Sequence, residues 1–255
     1  MERLLELDHD LGAQLSADRR AAASRLLVTV YQLAPTADAL ARLQSASSGH
    51  VGLLVVDGVL ARELVLGDTV STELLGPGDV IRPLAAEHPA ELLRVEARWS
   101  VLSDAAIALL DRRIALELCH FPELYLALID RCGERISRLA TTQAISQLTR
   151  VDRRLLAYCW HLAERWGRIT PDGVHLPLRL SHRLLGQLVG ARRPTVSSAL
   201  GSLARSGELV RRHDSTWLLR GEPVELATGA SHHRVEPRLK LMVGRASVHG
   251  AVASR

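Results

Sequence analysis

The stretch Leu180–Leu209, LSHRLLGQLVGARRPTVSSALGSLARSGEL, decides how the rest of the chain is organised. Its spacing predicts two amphipathic helices around a tight turn. Ser181 stands where an N-cap oxygen can accept a hydrogen bond from a free first-turn N–H. Leu184, Leu185, Leu188 and Val189 then recur at helical spacing. Gly190 can stop that helix in a left-handed conformation that costs glycine little. Arg192-Arg193-Pro194 opens the second segment, since a first helical turn has no use for the N–H that proline lacks. Val196, Ala199, Leu200 and Leu203 supply its inner stripe, and Gly207 ends it. Its outer face carries Arg192, Arg193, Thr195, Ser197, Ser198, Ser202 and Arg205, with no acid among them. A short helix that is apolar inside and basic or hydroxylic outside suits a major groove. The same pair alone would also fit a helical bundle or repeat.

The flanks separate these readings. Gly173–Leu178 (GVHLPL) reads as a short strand before the pair. Leu209–Arg212, a turn at His213-Asp214-Ser215, and Thr216–Leu219 read as a hairpin after it. Strand, helix, turn, helix, hairpin is the order of a winged helix-turn-helix. The expected role is therefore DNA binding rather than a purely structural one.

The segment from Val151 to Gly221 resembles the DNA-binding domain of the Crp/Fnr superfamily. The residues carrying the resemblance are Ser181, Leu185, Gly186, Val189, Gly190, Arg193, Thr195, Val196, Leu203, Gly207 and Leu209. It implies that Arg193 contacts a guanine edge and that His182 and Arg183 approach phosphates. Two positions depart from the pattern. Pro194 stands where many members have a base-reading glutamate, and Ser198 where the cyclic-AMP-responsive branch has a second arginine. The operator of that branch is therefore not expected here. The candidate DNA-binding residues are Ser181, His182, Arg183, Arg192, Arg193, Thr195, Ser197, Ser198, Arg205, Arg211 and Arg212. Arg193 is expected to read a base, with His182, Arg183, Arg211 and Arg212 on phosphates.

Charge splits along the chain in the same sense. Residues 1–149 carry 14 Arg against 20 Asp and Glu, whereas residues 150–255 carry 18 Lys and Arg against 8 acids. A basic second half points to a polyanion partner for that half alone. All but one of the basic residues are Arg, which suits bidentate contact with guanine and phosphate. With 255 residues the chain suits two domains, and with 3% aromatics Leu, Val and Ala must fill their cores. No apolar run approaches the roughly 18 residues that a membrane span needs. The start, MERLLELDHD, lacks the layout of a signal peptide, so the expected location is the cytoplasm. Cys119, Cys132 and Cys159 are far apart and odd in number, which suits small buried hydrophobes better than disulfides or a metal site.

Upstream, residues 1 to about 43 read as helical or irregular, with a helix start at Ser16-Ala17-Asp18-Arg19 running into the alanine-rich Arg20–Val30. Strands follow at Val51–Val56, Val59–Leu66 and Thr69–Leu75, with turns at Asp57-Gly58 and Gly67-Asp68 and a corner at Gly76-Pro77-Gly78-Asp79. Val80–Pro83 and Leu92–Leu102 would complete a small antiparallel roll. This layout resembles the cyclic-nucleotide-binding β-roll that precedes the winged helix in Crp/Fnr proteins. The stretch after Asp79, Ile81-Arg82-Pro83-Leu84-Ala85-Ala86-Glu87-His88-Pro89, lacks the Gly-Glu-Leu and Arg-Ser/Thr-Ala elements that meet a cyclic phosphate. Cyclic AMP is thus not the expected effector, although Arg82 or Arg94 could meet another anion. A true cyclic-nucleotide receptor is the alternative.

Ser103–Leu118 reads as a helix capped by Ser103. A long helix follows from Glu123 towards Thr149, on which Leu124, Leu128, Ile129, Cys132, Ile136, Leu139 and Gln143 form a near-heptad seam. In Crp/Fnr proteins such a helix pairs with its twin across a two-fold axis, which implies a homodimer. Packing against the chain's own roll is the other reading of the seam. Residues 225–255 read as a basic, mostly disordered tail, and His232-His233 there as solvated. No P-loop, GxSxG, HExxH or helix-opening GxGxxG is present, and His50 lacks the further ligands of a metal site. No enzyme, metal or cofactor is expected.

The expected fold is α+β: residues 1–119 an N-terminal helical segment and antiparallel β-roll, 120–149 a dimerisation helix, 150–222 a winged helix-turn-helix, and 223–255 the tail. The expected function is a homodimeric transcription regulator binding double-stranded DNA, with RNA polymerase a further partner and no membrane contact. A winged helix that docks a protein instead of DNA is the rival.

Overall fold

Leucine-rich and β-branched segments too short for stable helices bury their apolar faces by pairing, and that rule shapes the first half of the molecule. A computed structural model describes residues 1–35, 51–81 and 95–223. Strands β1 (Glu2–Arg3), β2 (Leu27–Leu33), β3 (Gly52–Asp57), β6 (Val80–Ile81) and β8 (Ala105–Leu110) form one antiparallel sheet in the order β1-β2-β8-β3-β6. Strands β4 (Leu60–Leu66), β5 (Thr69–Leu75) and β7 (Glu96–Val101) form a second, in the order β5-β4-β7. Leu33, Leu53, Val55, Leu60, Leu75, Ile81, Val101 and Ile107 fill the space between the two sheets.

The turns divide into two kinds. Gly67-Asp68 closes a true hairpin, in which Leu66 faces Thr69. Asp57-Gly58 does not, because β3 pairs with β6 and β8 while β4 pairs with β5 and β7. It is a corner at which the chain changes sheets. Gly58 has φ +83°, and a Cβ there would lie 2.6 Å from Ala105 Cα, so glycine serves close backbone approach as well as the turn. Gly76-Pro77-Gly78-Asp79 is a second such corner, from β5 to β6, as its sequence suggests.

Two helix expectations fail, for one reason. Ser103–Leu118 is not a single helix: Ala105–Leu110 is strand β8, paired with both β2 and β3. AAIALL has high helix propensity, but two ladders of backbone hydrogen bonds outweigh tenths of a kcal/mol per residue. Ser103 Oγ accepts from Val59 N at 3.0 Å instead of capping, and Asp111 caps the shorter helix Arg112–Leu118 by accepting from Ile114 N at 2.8 Å. Likewise the helix capped by Ser16 ends at Ala23, and Leu27–Leu33 is a strand rather than a continuation.

The long helix runs Pro122–Ser146 with proline in its first turn. Leu124 and Leu128 are buried on the roll, and further along the same side three arginines bind roll or N-terminal carboxylates. Arg131 pairs with Asp8, Arg135 Nε donates to Glu73 Oε1 at 2.7 Å, and Arg138 pairs with Asp79. Residues 147–150 then lead to helix Val151–Trp166, strands Arg168–Thr170 and Gly173–Leu176, helices His182–Val189 and Arg193–Ser206, and strands Leu209–Arg211 and Trp217–Leu219. The strand Arg168–Thr170 is at the edge of the four-stranded sheet that closes the unit. Leu155, Cys159, Leu176, Leu185, Val196, Leu203 and Trp217 form the core of that unit. Val59, just before β4, and Ala61 and Leu74 of the three-stranded sheet are buried in the same cluster, so the winged unit packs directly on the roll.

Candidate nucleic-acid interface

The helix pair is built as its sequence dictates. Ser181 Oγ accepts from Leu184 N at 3.1 Å. Gly190 ends the first helix at φ 63°, and Ala191 N donates back to Gly186 O at 2.9 Å. A Cβ on Gly186 would lie 2.5 Å from Ala191 O, so the turn folds tightly only over a glycine. Leu184, Leu185, Leu188 and Val189 of the first helix are buried, as are Val196, Ala199, Leu200 and Leu203 of the second. Gly207 ends the second helix at φ 77°.

The outward face is brought together as expected. Arg192, Arg193, Thr195, Ser197, Ser198 and Arg205 are all exposed, as are Ser181 and Arg183, with His182 half-buried beside them. Ser197 Oγ donates to Arg193 O at 3.1 Å, Ser198 Oγ to Pro194 O at 3.2 Å, and Arg205 Nε to Gly201 O at 3.2 Å. Among the described residues, the guanidinium groups of Arg183, Arg192, Arg193 and Arg212 make no hydrogen bond or ion pair, so their charge stays available for a ligand. The nearby acids are engaged elsewhere: Glu208 with Arg153 and Ser206, Asp214 with Thr216. The unpaired N–H groups at the N-terminus of Arg193–Ser206 add a positive end to the same face.

The hairpin is a wing with its own supports. Arg211 donates to Ser215 Oγ at 3.0 Å and lies 6.0 Å from the Trp217 ring centroid, while Arg212 is exposed. Ser215 takes φ 67°, a conformation helped by the Asp214 carboxylate accepting from Thr216 N at 3.1 Å. His175 Nε2 lies 2.9 Å from Thr216 Oγ1 and ties the wing to the central strand. Arg154, not singled out in the sequence, donates to Val189 O at 3.0 Å and so satisfies an orphan carbonyl at the end of the first helix. Arg82, Arg94, His50 and the tail after 223 lie outside the described residues.

Beside its roll-facing side, the long helix presents Tyr125, Ile129, Cys132, Ile136, Leu139 and Gln143 to solvent, with Ile136 66% exposed. Leu124 and Leu128 belong to the roll core, so the predicted seam divides between the two sides. The exposed residues keep a heptad rhythm.

Comparison with known proteins agrees with this geometry. Residues 149–220 match the Crp-like helix-turn-helix domain family. The chain is 30% identical over 151 residues to the regulatory protein CysR of Synechococcus elongatus, covering 57% of this chain and 64% of that one. It is 33% identical over 91 residues to the global nitrogen regulator of Synechocystis, covering 35% and 39%. It thus spans less than two thirds of either relative. In fold it is similar to a CooA variant from Carboxydothermus hydrogenoformans, with TM-score 0.57, 20% identity and 86% and 91% of the two chains covered. A cyclic-nucleotide-binding-domain protein from Listeria monocytogenes gives TM-score 0.60 at 15% identity, covering 84% and 97%. The fold and the exposed basic helix define a two-part protein with a β-roll and a winged helix-turn-helix. Residues 149–220 carry a Crp-like helix-turn-helix domain.

Proposed function

We propose that this chain is a homodimeric, sequence-specific DNA-binding transcription regulator of the cytoplasm. Its parts would be a sensor-like roll over residues 1–119, a dimerisation helix over 120–149, a reading unit over 150–222 and a basic tail from 223. The observation that carries the reading is the solvent-facing side of Arg193–Ser206, free of acids and rich in arginine and hydroxyl groups, with its arginines unclaimed by acids among the described residues. Arg193 serves as a bidentate reader of guanine O6 and N7. Arg192, Thr195, Ser197, Ser198 and Arg205 contact bases or phosphates, and Ser181, His182, Arg183, Arg211 and Arg212 hold the backbone. Two such helices engage half-sites about one helical turn, roughly 34 Å, apart when the exposed seams of two long helices pair. The effector is not cyclic AMP bound in the usual way, and RNA polymerase is a further partner.

Selection of genomic fragments by the purified protein, followed by gel shifts at two salt concentrations, tests this. The expected result is an inverted repeat whose affinity falls steeply with salt through counterion release. A salt-insensitive protein partner with no DNA selected would sink it, and tight calorimetric binding of cyclic AMP would overturn the effector statement.

A further inference from the structure

The corner Gly76-Pro77-Gly78-Asp79 carries a carboxylate that the DNA-reading face does not explain. Asp79 is 1% exposed and joins three parts of the molecule. Its Oδ2 accepts from Gly76 N at 2.9 Å within the corner and from Arg165 Nη1, in the first helix of the winged unit, at 2.7 Å. Its Oδ1 accepts from Arg138 of the long helix. Arg165 also donates to Pro77 O at 2.7 Å and lies over the Trp166 ring, 4.9 Å from its centroid. Trp166 in turn presses on the corner: a Cβ at Gly76 would fall 2.9 Å from Trp166 Cζ2.

The surrounding contact is packed rather than a ligand site. The cavity bounded by Thr72, Arg138, Tyr158, His161 and Arg165 holds about 40 Å³. A small-molecule pocket needs about 300–1,000 Å³. Apolar contact through Leu74, Tyr158 and Leu162 would suffice for adhesion, but it is non-directional. Two guanidinium groups on separate oxygens of one buried carboxylate are directional, and a rotation of either helix loses one of them. Only residues 147–150 connect the two helices covalently.

The geometry points to Asp79 as a positioning residue for DNA recognition: it locks the winged unit to the long helix and thereby sets the distance between the two recognition helices of a dimer. The inference rests on the proposed regulator and predicts that spacing discrimination, rather than base reading, depends on this carboxylate.

The test uses full-length wild type, Asp79→Asn and Arg165→Gln, with Arg165→Lys as the conservative variant. Probes are duplexes with two selected half-sites at the selected spacing, the same pair one or two base pairs further apart, and a single half-site. Asp79→Asn and Arg165→Gln are expected to shrink the wild-type preference for the selected spacing by about 5- to 150-fold, the usual range of a coupling between sites. Single-half-site affinity should stay within about twofold, a small change in free energy. Arg165→Lys should recover part of the preference. Unchanged spacing preference in both charge-removing variants overturns the inference, as does an equal loss on every probe, which would mean that the residues act only on the stability of the reading unit. If wild type binds none of the duplexes, the regulator reading fails by itself. Hydrogen exchange on the DNA-free full chain then judges the lock separately. Arg165→Gln should raise exchange at residues 72–79 and 158–166 and leave 182–206 unchanged, and no change at the corner overturns it.

Discussion

His182 in the first helix of the pair and Ser197 in the second meet at 2.9 Å, Nδ1 to Oγ. The same hydroxyl donates its only proton to Arg193 O at 3.1 Å, so it accepts from an Nδ1–H and His182 turns Nε2 to other partners. The contact crosses the turn and fixes one hydroxyl of the reading face against the backbone of the residue expected to read guanine.

That arrangement separates two kinds of loss. Arg193→Ala should cost about 1–3 kcal/mol on the selected site and relax discrimination at one base pair. Arg183→Ala should weaken every sequence about equally and lower the salt slope by about one contact. Titrations on the selected site and its single-base variants, each at several salt concentrations, distinguish them. A uniform loss for Arg193→Ala would rule out base reading.

Two glycines in the helix pair should respond oppositely to alanine. Gly186→Ala forces a Cβ to within 2.5 Å of Ala191 O and should destabilise the unit by about 1–3 kcal/mol through backbone displacement. Gly201 lies exposed within the second helix with nothing near a new Cβ, so Gly201→Ala should stabilise by about 0.5–1 kcal/mol. Urea denaturation followed by circular dichroism reads both signs.

Ile136 is 66% exposed in the single chain, and Ile136→Glu should therefore leave the fold intact. If the seam is the dimer contact, two opposed carboxylates would weaken it by at least about tenfold, or 1.4 kcal/mol. Sedimentation equilibrium of wild type and variant checks this. A variant that remains dimeric at the same concentration would place the interface elsewhere.

Burial pushes the Cys159 thiol from its ordinary 9.0 up to about 12, and burial also raises the Tyr158 phenol. Cys159 should therefore resist iodoacetamide at pH 8 in the native protein, while exposed Cys119 reacts. For a raised acid the sign is fixed: the folded state holds its proton while the unfolded state releases it. Stability is fully present below pH 9 and declines as pH rises from there towards 12. A Cys159→Ala variant, compared by chemical denaturation from pH 8 to 10.5, should show a shallower decline.

The reading unit was legible because its signals are local. Ser181, Gly190, Pro194 and Gly207 each mark a helix end within a few residues of the groups that they satisfy, and the inner stripes follow one helical period. The exposed basic face follows from those two facts. The sequence also placed the seam on the long helix, but not its division into Leu124 and Leu128 against the roll and Ile129, Ile136 and Gln143 outward. Only the positions of the other elements decide which side of a helix is covered.

Elsewhere tertiary structure had the last word. Ala105–Leu110 looks helical until its partners, Leu27–Leu33 and Gly52–Asp57, are known, and they lie far away in sequence. Asp57-Gly58 has hairpin chemistry, yet its strands join different sheets. Asp79 reads as an ordinary turn acid, and its two arginines stand 59 and 86 residues away. Spacing along a chain reports on bonds that a residue makes with its near neighbours. Bonds closed by folding, between residues that become adjacent only in three dimensions, leave no such periodic trace, and in this protein they include the link between its two halves.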